Sequence, residues 1–222
     1  TECIQQSFAF QGLESRQVVS NFEGGYLSSD GGVLFLREVD RRHRLMGKLS
    51  ECFEDRRDPD LIEHSVEELL GQRIFGLALG YEDLNDHDRL RYDPLLAVAC
   101  GKSDPLGTGR REEQDRGKAL AGKSTLNRLE LAVEEGASPR YKTIEADPAK
   151  VEDLLLRLAV GALPRKLKMI VLDFDATDDR IHGNQEGKFY HGYYKSHCYL
   201  PLYCFVGNIP LWAQLRTSDR DA

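Results

Sequence analysis

Apolar residues recur at helical spacing through most of the chain and switch to strand-like runs in its last third. Ser29-Asp30 precedes Val33, Leu36, Val39 and His43, which predicts an amphipathic helix. Ser65-Val66-Glu67-Glu68 has the capping-box pattern, in which a Ser hydroxyl and a Glu carboxylate satisfy each other's free backbone N–H groups. It stands ahead of Leu69, Leu70, Ile74, Leu77 and Tyr81. A short pair of helices is expected over Leu84 to Cys100, broken at Asp93-Pro94. Ser124 opens another with Leu126, Leu129 and Val133, ended by Gly136. Asp147-Pro148 starts a further helix carrying Val151, Leu154, Leu155 and Leu158, stopped by Gly161 and Pro164. Residues 1 to about 28 are rich in Gln, Ser and Gly, with a β-prone piece at Gln17 to Phe22. They read as an extended arm or a small hairpin.

The mode changes near residue 164. Met169 to Asp179 is an apolar run that delivers four carboxylates within seven residues, Asp173, Asp175, Asp178 and Asp179. In a strand Val171, Asp173 and Asp175 share one side, and Ile170, Leu172 and Phe174 the other. Two ionised carboxylates roughly 7 Å apart repel by about 2 kcal/mol at an effective dielectric near 20. A buried strand must therefore bring a divalent cation, a shared proton or a basic group to them. The alternative is a pair of solvated acids on an edge strand; so apolar a run favours the sheet interior. A polar loop comes next. Tyr199 to Val206 and Ile209 to Arg216 then flank Gly207-Asn208, a two-residue turn that predicts a β-hairpin. The fold class is α+β, with a helical region over 1–164 and the start of a mixed sheet over 165–222.

Composition narrows the function classes. The net charge of -7 argues against gripping nucleic acid by bulk charge, so any DNA contact must use local basic clusters. Five cysteines, Cys3, Cys52, Cys100, Cys198 and Cys204, include no C-x-x-C pair and read as free thiols of a reducing cytoplasm. Cys198 to Leu215 holds no charged residue, but Pro201, Gly207, Asn208 and Pro210 interrupt it, so it is a hairpin and not a membrane span. The first residue is Thr1 rather than Met, so the chain is expected to be trimmed at its start.

Three motifs compete for the chemistry. Gly117 to Ser124 satisfies G-x-x-x-x-G-K-[ST], but the preceding Arg110-Arg111-Glu112-Glu113-Gln114-Asp115-Arg116 cannot be the buried strand a phosphate loop needs. It reads as a loop and helix cap. Asp173-Phe174-Asp175-Ala176-Thr177 fits the DxDxT pattern of haloacid-dehalogenase-like phosphatases, with Asp173 as nucleophile and Asp175 as acid/base. The chain beyond Thr177 predicts a hairpin rather than the βα units such a fold requires. The third reading takes a strand carrying Asp, then an antiparallel hairpin, as the opening of a ribonuclease-H-like sheet.

Here the chain resembles a known family. Gly122-Lys123-Ser124-Thr125-Leu126-Asn127-Arg128-Leu129-Glu130, Leu172 to Asp179, Gln185-Glu186-Gly187-Lys188-Phe189-Tyr190-His191-Gly192-Tyr193-Tyr194 and Tyr199-Leu200-Pro201-Leu202-Tyr203 look like DDE-type insertion-sequence transposases, of the insertion sequence 1380 group. Ser28 to Gly32 and Glu82 to His87 are similar too, so the resemblance spans nearly the whole chain. It implies a helical region over 1–164 that is a candidate for DNA binding, and the start of a ribonuclease-H-like catalytic domain over 165–222. Asp175 matches the first acid of the Asp-Asp-Glu triad and a ligand of a two-magnesium site, with Asp173 as second choice. The second Asp and the Glu belong to later elements; Asp219 and Asp221 match a linker. The chain therefore looks like the front part of a transposase, inactive by itself, with DNA at transposon ends and target as partner. A homo-oligomer in the complete protein and a cytoplasmic, nucleoid-associated setting are implied as well.

The residues themselves suggest where DNA is met. Lys188, Tyr190, His191, Tyr193, Tyr194, Lys195 and His197 interleave basic and aromatic groups, which suits phosphate contact and stacking on unpaired bases; sheet packing explains the tyrosines equally. Arg41, Arg42 and Arg44, with Arg110, Arg111, Lys118, Lys123 and Arg128, supply charge for a backbone contact or make solvated helix faces. A non-catalytic DNA-binding fragment is the alternative to part of an enzyme. The residues' own case for a metal expects Asp175 where an inner strand ends; an Asp175 in bulk solvent removes that case and leaves the family resemblance alone to assign it.

Overall fold

The computed structural model describes residues 7–21, 28–130, 143–183, 185 and 187–219, which group into two compact units, one up to Asp147 and one from Pro148. Cys3, Phe22, Val133, Gly136, Glu186 and Asp221, named above, lie outside the described residues.

The first unit begins with an antiparallel hairpin, β1 (Ser7–Leu13) and β2 (Arg16–Asn21). Helices come after it: α1 (Val33–His43), α2 (Leu45–Ser50), α3 (Val66–Ala78), α4 (His87–Leu90), α5 (Pro94–Ala99) and α6 (Lys123–Glu130). The capping box forms as its sequence requires, with the Glu68 N–H donating to Ser65 Oγ at 3.2 Å and the Ser65 N–H to Glu68 Oε2 at 2.8 Å. Asp93 ends one short helix and caps the next, accepting from the Leu95 N–H at 2.7 Å ahead of Pro94 at the first helical position. Leu69, Leu70, Phe75, Leu96, Leu120 and Leu126 form the centre of the core.

Two features depart from the periodicity. On α1 the buried side is Val33, Leu34 and Arg37, and Val39 is exposed. The Arg37 guanidinium explains the rotation, because it donates to the carbonyls of Gln11 at 2.8 Å and Gly12 at 3.3 Å in β1. A buried charge must be hydrogen-bonded, and those acceptors lie on one side of the helix. The second is a ladder of β3 (Phe53–Asp55) with β4 (Ile144–Ala146), which seats Ile144 in the core. Strands of three residues carry no legible alternation.

The second unit holds α7 (Pro148–Ala162), β5 (Asp173–Ala176), β6 (Asp179–Arg180), β7 (Phe189–His191), β8 (Ser196–Tyr199), β9 (Leu202–Val206) and β10 (Ile209–Gln214). They make two antiparallel sheets, ordered β10-β9-β5 and β6-β8-β7. The hairpin about Gly207-Asn208 is present, with Ile209 opposite Val206 and Gly207 at φ 57. Its first strand is shorter than expected, because Pro201 has no N–H to give a ladder and the chain changes sheets there. The polar loop is replaced in part by β6, β7 and β8. The compact units divide at Asp147/Pro148, and α7 packs on β10.

The apolar run requires a correction. Met169 to Leu172 lie outside any strand and are exposed, Ile170 by 54% and Val171 by 63%. Among the described residues β5 is an edge strand paired to β9 alone, so the run has no neighbour on its other side. Helices plus small antiparallel sheets keep the class α+β. No helix among the described residues is long and apolar enough to cross a membrane. Cys52, Cys100, Cys198 and Cys204 are buried and form no disulfide among the described residues.

Candidate functional site

The acidic strand β5 pairs with β9 in the register Asp173 to Phe205, Phe174 to Cys204, Asp175 to Tyr203 and Ala176 to Leu202. Directly opposed residues share a face, so Asp173 and Asp175 lie on the same side as Phe205 and Tyr203, whose rings stand 6.2 Å apart. Both carboxylates are exposed. Asp178 is ion-paired with Arg180 at 3.3 Å, and Asp179 is opposite Tyr199 in the β6–β8 ladder. Among the described residues no group of three or more His, Cys, Asp or Glu could hold a metal ion. The expectation of Asp175 at the end of an inner strand is therefore not met. In water the repulsion of two carboxylates roughly 7 Å apart falls to about 0.6 kcal/mol, so the pair stands without a compensating charge.

The strand does not continue as the phosphatase pattern requires. After Thr177, whose N–H donates to the Pro201 carbonyl at 3.2 Å, the described chain is antiparallel β-structure without a βα unit.

The phosphate-loop segment is committed internally. No strand lies directly ahead of it; a 3-10 turn spans Glu113–Asp115 and the helix starts at Lys123. The Leu120 N–H donates to Arg91 O at 3.3 Å, the Ala121 N–H to Gln72 Oε1 at 3.0 Å and the Lys123 N–H to Asp88 Oδ1 at 3.2 Å. Those donors are the ones a phosphate would need. Lys123 Nζ, on an exposed residue, donates to Asn85 Oδ1 at 2.9 Å and lies 3.4 Å from Asp88 Oδ2.

The other basic candidates divide by burial. Arg110 has a side chain only 12% exposed; it donates to Glu63 Oε2 at 3.0 Å and to Lys118 O at 2.7 Å. This contact holds the Glu63 carboxyl below the usual carboxylate range. Arg111 is exposed yet donates to the Asp60 carbonyl, and its N–H to Glu63 Oε1 at 3.1 Å. Arg128 is exposed on α6. Beside Arg110, Lys102 donates to Glu68 Oε2 at 2.7 Å and to Glu63 O at 2.9 Å. His64 is buried next to these cations; desolvation first, then Lys102, Arg110, Arg91 and Arg57, push its pKa down to about 3. The adjoining cavity of about 290 Å³ thus has each cation matched by an acid.

The two early segments of the resemblance meet in the first unit. The Tyr81 hydroxyl donates to Asp30 Oδ2 at 2.9 Å, which raises the tyrosine's pKa, beside a cavity of about 330 Å³ lined also by Ser28, Asp86, Arg89 and Asp93. Sequence reasoning missed the polar anchor behind them. Gln72, buried on α3, donates to Ala121 O at 2.8 Å and meets His87 Nδ1 at 3.1 Å. A polar residue between Leu69 and Phe75, on the apolar side of the helix, was the available signal.

In the second unit β7 and β8 form a hairpin with Tyr190 opposite His197 and His191 opposite Ser196. Lys188 Nζ donates to Gly183 O at 3.0 Å, His191 is half-buried, and Lys195 is exposed with φ 51.

No curated protein and no solved structure matches the chain. The family model described as "Transposase DDE domain group 1" matches residues 10–222, which include β5 with both aspartates, the β9–β10 hairpin and the helical unit. The chain belongs to that family of transposase DDE domains.

Proposed function

We propose that this chain is the front part of an insertion-sequence transposase of the 1380 group, acting in metal-dependent DNA cleavage and strand transfer, with Asp175 as the first acid of the Asp-Asp-Glu set. The family match over residues 10–222 carries the reading. The order β10-β9-β5 supports it, because a first strand bearing Asp beside an antiparallel hairpin is how a ribonuclease-H-like sheet opens.

The described residues do not complete a metal site, so no reaction step is assigned to this chain alone. Asp175 offers hard oxygen donors of the kind magnesium prefers, and Asp173, on the same face, is the second candidate. A bound magnesium pair supplies activation of water or a DNA 3′-hydroxyl and stabilises the leaving oxygen. The second Asp and the Glu are assigned to later parts of the complete protein. DNA contact falls to the exposed Lys123 and Arg128 in the first unit and to Lys188, His191 and Lys195 in the second. Arg110 and Arg111 act by holding the 59–63 segment. DNA is the partner, the complete protein is a homo-oligomer, and its setting is the bacterial cytoplasm at the nucleoid.

The test is magnesium-dependent strand transfer of labelled transposon ends by the protein of the complete reading frame. Asp175→Asn abolishes it, and Asp173→Asn weakens it less. Full activity of Asp175→Asn overturns the assignment; salt-sensitive DNA binding without any cleavage favours the non-catalytic reading.

A further inference from the structure

We infer that the tip of the β7–β8 hairpin binds single-stranded DNA by stacking an unpaired base on Tyr193, which rests on the DNA-acting reading above and specifies one of its ligands. Tyr193 lies in the loop between His191 and Ser196 and is 83% exposed. It is held from behind: its ring meets Tyr194 edge-to-face at 5.0 Å and 89°, and Tyr194 leans on His191 at 5.0 Å and 40°. Most of the Tyr193 surface is left to solvent, with the edge-to-face contact to Tyr194 on one side. A large aromatic ring in that position forgoes burial, and a nucleobase laid against it recovers the loss without needing a particular sequence.

Charge on the hairpin points the same way. Residues 187–197 contain Lys188 and Lys195 and no Asp or Glu, in a chain of net charge -7. Lys195, next but one to Tyr193, is exposed and sits at φ 51, a left-handed conformation that costs a non-glycine residue about 1 kcal/mol. Down the strands, Tyr190 and His197 make a second edge-to-face pair at 5.5 Å. Cations beside open rings match a phosphate backbone beside unpaired bases. A duplex hides its base faces except at its ends, so stacking at this tip selects single strands, whereas the lysines alone do not.

The full chain is titrated, in EDTA, into a fluorescent oligo-dT strand of about 20 nucleotides and into a blunt duplex of the same length, read by anisotropy. The single strand is expected to bind more tightly. Tyr193→Ala weakens it about tenfold and leaves the duplex unchanged, while Tyr193→Phe restores it because the ring face remains. Lys195→Ala weakens both and lowers the salt dependence. Equal single-strand affinity of wild type and Tyr193→Ala, or a preference for duplex, overturns the inference. So does a Tyr193-dependent self-association with no effect on DNA, which assigns the tip to a contact between copies. No metal is present, so the outcome is independent of Asp175: strand transfer that survives while this preference fails removes only the present inference, and the reverse removes only the catalytic assignment.

Discussion

The side-chain amide of Gln72 takes the place of a backbone neighbour for Ala121, accepting from its N–H at 3.0 Å and donating to its carbonyl at 2.8 Å. Both residues are buried, so a helix side chain closes the hydrogen bonds of a loop that has no strand beside it. The pairing also fixes which end of the amide faces His87, making Nδ1 of that ring the acceptor. Gln72→Leu leaves the Ala121 N–H and carbonyl unpaired in the core. At 1–3 kcal/mol for each orphaned group, a loss of roughly 3 kcal/mol is expected. Urea unfolding followed by circular dichroism measures it, and a loss near zero would show the pair to be dispensable.

The neutral state of two histidines gives the first unit a pH dependence. Burial is the main cause that lowers the pKa of both, His64 to about 3 and His87 in the same direction. In the unfolded chain each titrates near 6.5. Between those values the unfolded chain binds more protons, so stability is complete above about pH 6.5 and is lost as pH falls towards the folded value, by at most about 1.4 kcal/mol per pH unit for each group. Chemical denaturation at neutral and at mildly acidic pH reads the slope. His64→Gln is expected to flatten it, and a slope identical to wild type removes His64 from the account.

Gly107 cannot be another residue. Its φ is +65, and a Cβ built there stands 2.6 Å from the Ala119 nitrogen. Strain of about 1–2 kcal/mol for the left-handed backbone adds to overpacking of about 1–3 kcal/mol in Gly107→Ala. The expected loss is about 3 kcal/mol, seen as a lowered thermal midpoint, and an unchanged midpoint refutes the close packing of the two loops.

Arg110 separates stability from DNA binding. Arg110→Ala removes the guanidinium from Glu63, which keeps the Arg111 N–H, and from the Lys118 carbonyl, with an expected loss of about 2 kcal/mol in unfolding free energy. Duplex affinity and its salt slope, measured by anisotropy, are expected to stay as in wild type. A salt slope reduced by about one, with stability intact, would make Arg110 a phosphate contact instead.

Asp175→Asn is expected to be neutral for folding, within about 0.5 kcal/mol, because both acids of β5 are exposed and the removed charge only relieves repulsion. Thermal unfolding of the chain checks this. A large destabilisation would place Asp175 in a structural network and compromise it as a clean probe of catalysis.

What the sequence determined by itself is local. The Ser65–Glu68 cap, the Asp93-Pro94 break, the start of α7 after Asp147 and the Gly207-Asn208 turn each depend on residues within a few positions of one another, so the pattern alone specified them. Arg110 beside Glu63, Gln72 beside Ala121, the rotation of α1 towards Gln11 and the short β3–β4 ladder join residues distant in sequence, and only the tertiary structure decided them. The acidic strand shows the difference most plainly. Alternation put Asp173 and Asp175 on one face, but whether that face meets water or protein depends on which strands lie alongside. Strand neighbours are a property of the assembled sheet, and the apolar run over Met169 to Leu172, which favours an inner strand, did not decide them.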